Sequence, residues 1–190
     1  VNIVKRSLCA ITMMIVCFGS TLVCLANDNK DVTALVVVDK SKESYGIELK
    51  NNVYTQLEKE LKVVVAKENE LQYIMKSNAF AEMERAEKPE LSDLAAKTGA
   101  KFILVVEILP TKSDMTQILF YQAIKSEATL KVRLYDATKK QYVLAEEIGS
   151  TGSNKTYIPY TFVGKKVTVM EAVRKAVVIV VQKVNGVISQ

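Results

Sequence analysis

The sequence predicts an α/β domain: a mixed sheet with a βαβαβ-like first half, an antiparallel meander and a closing C-terminal helix, packed in three layers or two. Three observations carry this. Short continuous runs of apolar, β-branched residues alternate with helix-period segments through the first half of the chain. Three strand-like runs joined only by short polar turns follow, and the C-terminal segment carries one apolar stripe at helical spacing. With 190 residues, 49% of them hydrophobic and 25% charged, the composition is that of a folded chain with room for one ordinary domain.

Before that domain the chain reads as an address. Lys5 and Arg6 are followed by no charged residue until Ala26, and the run from Leu8 to Phe18 is strongly apolar. This is a signal-peptide profile, with Cys24 and Ala26 at the small-residue positions of an A-x-A-like site, so residues 1–26 are assigned as the signal and 27–190 as the domain. Two alternatives stay open: retention as an anchor helix, since about 20 apolar residues span a bilayer, and acylation at Cys24, against which the bulky Val23 stands. Cys9, Cys17 and Cys24 all lie in this segment, so a chain cleaved after Ala26 has no thiol for catalysis, disulfides or zinc. There is no histidine anywhere, which removes the side chain best suited to proton transfer near neutral pH and to metal binding.

Thr33 to Asp39 is the first central strand, a continuous apolar run suited to cover on both faces. From Tyr45 to Leu61, the spacing of Ile47, Tyr54, Leu57 and Leu61 predicts a helix with those residues inward. Lys62 to Ala66 reads as a second buried strand, making a right-handed βαβ crossover the default. Leu71, Ile74 and Met75 begin another helical pattern, and residues 78–88 have no clean period. Pro89 opens a short helix with Leu91, Leu94 and Ala95 inward, and Gly99 suits its left-handed stop. Lys101 to Ile108 is the third buried strand.

Met115–Ile124, Ala128–Tyr135 and Gln141–Ile148 form the meander; in the middle run Leu130, Val132 and Leu134 face inward while Lys131 and Arg133 face a wet side. Thr168-Val169-Met170-Glu171 reads as a capping box opening the last helix, with Met170, Val173, Val177, Val181 and Val184 on one face and Asn185-Gly186 as its end. Val177 to Val181 would suit a strand by propensity, but the cap and the stop favour helix.

Four motifs in this order are similar to a known group. They are Leu35-Val36-Val37-Val38-Asp39; Val63-Val64-Val65 with the segment Lys67 to Met75; the helix-to-strand joint Leu94 to Val105 with its Gly99-Ala100; and Leu130 to Thr138, similar to a "V-x-x-R-L-x-D-x-x-T-G" strand and turn. The chain thereby resembles the bacterial envelope assembly proteins around the curli-secretion lipoprotein CsgG and the N-terminal domain of TolB. The resemblance implies an α/β fold and a part in envelope assembly. Lys101 replaces the family's Asp after Gly-Ala, and Lys139 and Lys140 stand where its turn glycine would be. No inserted membrane hairpin of the kind a pore-forming member needs is visible.

Several constellations compete for function. Gly149 to Thr156 nearly spells a phosphate-binding loop, but Asn154 occupies the glycine position before Lys155 and Pro159 blocks an immediate helix, so a flexible polar loop is expected. Tyr157, Tyr160 and Phe162 gather around Pro159 as a candidate partner-binding patch, or as a loop folded over the sheet edge. Glu82, Glu84, Glu87 and Glu90, and the adjacent Glu146 and Glu147, read as solvated charge rather than a catalytic pair. Lys139, Lys140, Lys165 and Lys166 form a candidate basic patch.

The expectation is an exported, non-catalytic binding or scaffold module of a bacterial envelope. It would take no cofactor and no nucleic acid, engage a protein partner or copies of itself, and touch the membrane only peripherally unless the leader is retained or Cys24 lipidated. The alternatives are a polyanion- or membrane-surface-binding protein working through the four lysines, and a carboxylate-based hydrolase.

Overall fold

The structure is a computed structural model and describes residues 32–61, 64–65, 88–158 and 164–189. The leader, the helical pattern near Leu71, residues 78–87, and Tyr160 and Phe162 lie outside the described residues. The predicted α/β architecture is present. In order, the elements are β1 (Val32–Asp39), α1 (Gly46–Glu60), β2 (Val64–Val65), α2 (Lys88–Thr98), β3 (Phe102–Ile108), β4 (Lys112–Ile118), β5 (Tyr121–Asp136), β6 (Gln141–Thr156) and α3 (Lys165–Ile188).

All six strands belong to one mixed sheet. β1 lies between β2 and β3, parallel to both. β5 then pairs antiparallel with β3 through Leu130–Asp136 and with β4 through Tyr121–Glu127, and its other edge carries β6 from Gln122 to Asp136. β1 and β3 are buried on both faces, which their unbroken apolar runs require. Leu35, Val37, Leu104 and Val106 pack under α1 and α3; Ala34, Val36, Ile103 and Val105 pack against Leu91, Leu94 and Ala95 of α2. The described elements therefore make three layers.

The expected inward stripe of α1 holds at Leu57 and Leu61, which are buried, and at Tyr54, which packs against the core. Leu49, Val53 and Leu57 are fully buried at spacings of four, whereas Ile47 is 80% exposed. The buried face reaches round to Leu49 and Val53 and leaves out Ile47, which stands about 200° from Leu49. α2 matches its expected stripe and ends at Gly99, whose φ of +66° lies in the left-handed region that glycine tolerates.

α3 is helical through the valine run, but the expected cap is not one. The helix begins at Lys165 after Gly164, no side chain caps it, and it continues past Gly186 to Ile188. Thr168 instead donates from Oγ1 to Lys165 O (2.8 Å) and meets Ser126 Oγ at 2.6 Å, which in turn meets Ser113 Oγ at 2.8 Å. These hydroxyls tie α3 to β5 and β4. Tertiary burial explains why the run is helix despite its β propensity: Val169, Ala172, Val173, Ala176, Val177, Val180, Val181 and Val184 all face the sheet, and the small Ala172 and Ala176 let the helix lie close.

The meander differs from its predicted bounds. Leu119 and Phe120 form a turn inside the run read as one strand, and β6 extends through Thr156, so Gly149 to Thr156 is strand and not a flexible loop. Gly152 explains why a glycine-rich stretch stays paired there. A Cβ at Gly152 would fall 2.0 Å from Thr168 O and 2.9 Å from Ala172 N, so only glycine lets α3 sit on β6 at this point.

The face carrying Arg133 is also not wet throughout. Tyr135 is fully buried against α2, its hydroxyl 2.8 Å from Ser92 Oγ. Glu107, buried in β3, is paired with the Arg133 guanidinium and lies 2.9 Å from Lys40 Nζ. Burial alone would push its carboxyl up; the hydrogen bond from Lys40 and the charges of Arg133, Lys40 and Lys131 outweigh that and hold it below the ordinary 4.5. Stabilisation from this carboxylate is therefore complete above about pH 4.5 and lost as pH falls through its lower folded value.

Arg133→Met should cost roughly 3 kcal/mol at neutral pH by stranding part of a buried charge, while Glu107→Gln should flatten the loss of stability below about pH 4.5; urea melts across that range read both. Gly152→Ala should cost roughly 1–3 kcal/mol. Gly149→Ala, whose Cβ would meet only Thr129 Oγ1 at an ordinary 3.8 Å, serves as the near-neutral control in the same melts.

Candidate functional site

Open α/β sheets take ligands outside the carboxyl ends of their parallel strands, where α-connections leave in opposite directions. Here that point is the end of β1 beside β3, and the protein's own side chains fill it. Asp39 Oδ1 accepts from Ser41 N–H (2.9 Å), and the Glu43 carboxylate accepts from Thr111 Oγ1 and from Lys165 Nζ (2.7 Å). Burial pushes Glu43 up, but the bonds from Lys165 and Thr111 prevail and lower it; burial and the Glu43 charge together push the Tyr45 hydroxyl up to about 12. Asp39 and Glu43 are thus held by groups of the protein itself, and these contacts tie the end of β1 to Thr111 and to the start of α3.

The other charged candidates are dispersed. Lys139 lies in the turn after β5, 3.6 Å from Asp136, while Lys165 and Lys166 open α3 and pair with Glu43 and Glu48. Thr168, one turn into α3, touches Ser126, ten residues of β5 away from Asp136 or roughly 33 Å of strand. Lys139 and Lys140 therefore do not share a surface with Lys165 and Lys166. Lys140 has φ +53°, the left-handed geometry otherwise supplied by glycine in such a turn. Of the carboxylates, Glu146 pairs with Lys183, and Glu82, Glu84 and Glu87 lie outside the described residues. In the loop-like motif, Ser153 N–H donates to Glu171 Oε2 (3.2 Å), so a carboxylate of the protein occupies one donor a phosphate would need. The Lys175 bond comes first among the causes that hold Glu171 below its ordinary value.

What remains is the far end of the β4–β5–β6 ribbon. Strand alternation puts Ile118, Tyr121 and Tyr157 on one face, and the rings of Tyr121 and Tyr157 stack with centroids 5.1 Å apart at 45°. Between β4 and β5 the turn presents Leu119, 89% exposed, and Phe120, 64% exposed; Tyr157 and Ile158 are equally open. Leu119 has φ +49°, a left-handed position that turns usually give to Gly, Asn or Asp. Every residue of β4 is exposed, and among the described residues it pairs with β5 alone. Of the three aromatic candidates, Tyr157 lies among the described residues, where its ring meets that of Tyr121. The available signal was four consecutive large apolar residues, Ile118 to Tyr121, in a stretch otherwise polar; they were absorbed into a strand because no glycine or asparagine marked the turn.

No family model matches the chain, and no curated protein matches it in sequence. One solved bacterial structure shares the fold. The hypothetical protein CT253 from Chlamydia trachomatis matches with a TM-score of 0.56 at 18% identity, over 83% of this chain and 97% of that one, a likeness of fold. Looser matches are the lipoprotein GNA1162 from Neisseria meningitidis (TM-score 0.48, 11% identity, 80% and 99% of the two chains) and the LpoB C-terminal domain from Escherichia coli (0.42, 12%, 66% and 87%).

The tyrosine stack should contribute measurable coupling. A double-mutant cycle of Tyr121→Ala and Tyr157→Ala in thermal melts should give an interaction of about 0.5–1.5 kcal/mol; additive single effects would mean the rings do not hold β6 to β5 at the tip.

Proposed function

We propose that the chain is an exported, non-catalytic module of a bacterial envelope that engages a protein partner through the outer edge of β4. The observation that carries this is the β4 edge: a strand exposed along its whole length whose outer backbone groups have no strand partner among the described residues. Such an edge binds an extended segment by main-chain hydrogen bonds, with side-chain contacts adding specificity. A bare edge is otherwise an aggregation hazard that proteins cover or blunt.

Export is supported by the charge-then-apolar profile of residues 1–26, and a role in envelope assembly by the four motifs similar to CsgG and TolB. Absence of histidine throughout, and of cysteine beyond Cys24, supports a binding role over chemistry. Self-assembly uses the same edge and is the second occupant to test.

A photo-crosslinking residue placed at Thr116 on β4 should capture a partner from envelope fractions, whereas one at Thr138 in the far turn should not. Equal capture at both positions, or none, contradicts the edge as the contact.

A further inference from the structure

The exposed apolar side chains are not spread evenly. Among the described residues, Ile118, Leu119, Phe120, Tyr157 and Ile158 lie at the ribbon tip, whereas Met115 stands on the opposite face of β4 and Ile47, Val167 and Val178 stand singly on helices. Clustering of this kind marks a contact surface, while single exposed residues need no explanation. The turn also spends a left-handed position on Leu119, so an apolar side chain is held outward where a polar turn former would be easier to accommodate.

Polarity along the ribbon is ordered. Aliphatic and aromatic groups occupy the turn, the Tyr121–Tyr157 pair comes next, and the next pair back on that face is Ala123 with Lys155. From Ala123 to Phe120 is three residues, roughly 10 Å of strand. The nearest carboxylate on these strands, Asp114 opposite Lys125, lies five residues from Leu119, roughly 17 Å back. Apolar end, amphipathic rings, then a cation is the order in which a bilayer changes from acyl chain through interface to anionic headgroup. The length matches too, because interfacial apolar surfaces sink about 5–10 Å.

We infer that the β4–β5 turn is an interfacial membrane anchor: Leu119 and Phe120 enter the headgroup–acyl boundary, Tyr121 and Tyr157 lie at its polar side, and Lys155 meets anionic headgroups. The anchor is separate from the leader and from the four lysines at positions 139, 140, 165 and 166. It relies on the envelope reading only for a membrane to be present, and not on any protein partner. A tip docked end-on leaves the outer edge of β4 free.

The chain has no tryptophan, so Phe120→Trp installs a single fluorescent reporter in the full chain. With vesicles of phosphatidylethanolamine and phosphatidylglycerol, its emission should shift to the blue and be quenched by brominated acyl chains. Thr138→Trp, at the opposite end of β5, should do neither. Leu119→Asp in the Phe120→Trp background should weaken the vesicle-dependent shift by at least about tenfold in lipid concentration, with circular dichroism confirming the fold. Pure phosphatidylcholine should bind less well if Lys155 reads headgroup charge. Vesicle flotation without quenching of the Phe120→Trp reporter would show binding through the leader alone and overturn the proposal. A blue shift that grows with protein concentration in the absence of lipid would overturn it in favour of a second copy at the tip. Loss of crosslinking at Thr116 with quenching intact would instead count against the protein-partner reading alone.

Discussion

Everything in this molecule hangs on the continuous ladder along β5. Its second half, Leu130 to Asp136, is locked beside β3 with Leu130, Val132, Leu134 and Tyr135 fully buried, and its first half carries β4 outward. Because side chains alternate strictly along a strand, the register set in the core dictates which residues of the projecting half face α3 and which face water. Ile124 and Ser126 face inward, and Tyr121 and Lys125 stand on the opposite side. β6 runs along the whole of β5 and α3 lies on both, with Gly152 allowing the close approach and the hydroxyls of Ser113, Ser126 and Thr168 tying the base of the ribbon to the helix. A tip carried this way is presented in a fixed orientation.

Physical reasons separate what the sequence disclosed from what it hid. The runs Thr33–Asp39 and Phe102–Ile108 were legible because burial on both faces demands unbroken apolar stretches. Gly99 was legible because few other residues end a helix in a left-handed conformation. The place of Ile47 on α1 was not, since Ile47 is as apolar as Leu49 and only the sheet beneath selects between them. The start of α3 was misread because Thr168 and Glu171 have the right spacing for a capping box, yet both use their oxygens on β5, β6 and Lys175. Local motif chemistry lost to tertiary partners.

The ribbon shows the same competition more sharply. Gly149 to Thr156 looked like loop because glycine and serine dominate it, but pairing with β5 and contact with α3 hold it as strand. Leu119-Phe120 looked like strand because nothing in it favours a turn. Buried ion pairs were invisible as well: Glu107 and Arg133 are far apart in sequence and meet only because β3 and β5 pair. The pairing of Tyr157 with Tyr121 was invisible too, since cross-strand neighbours depend on a register that no short window contains.

A fixed tip requires the projecting half of β5 to be as ordered as the buried half. Native-state amide hydrogen exchange measures this residue by residue. Along Gln122–Glu127, bonded to β4 on one side and β6 on the other, the amides should be strongly protected, while those of Leu119 and Phe120 exchange freely. Exchange of the whole segment 118–127 at the rate of an unstructured peptide would show that no fixed tip exists.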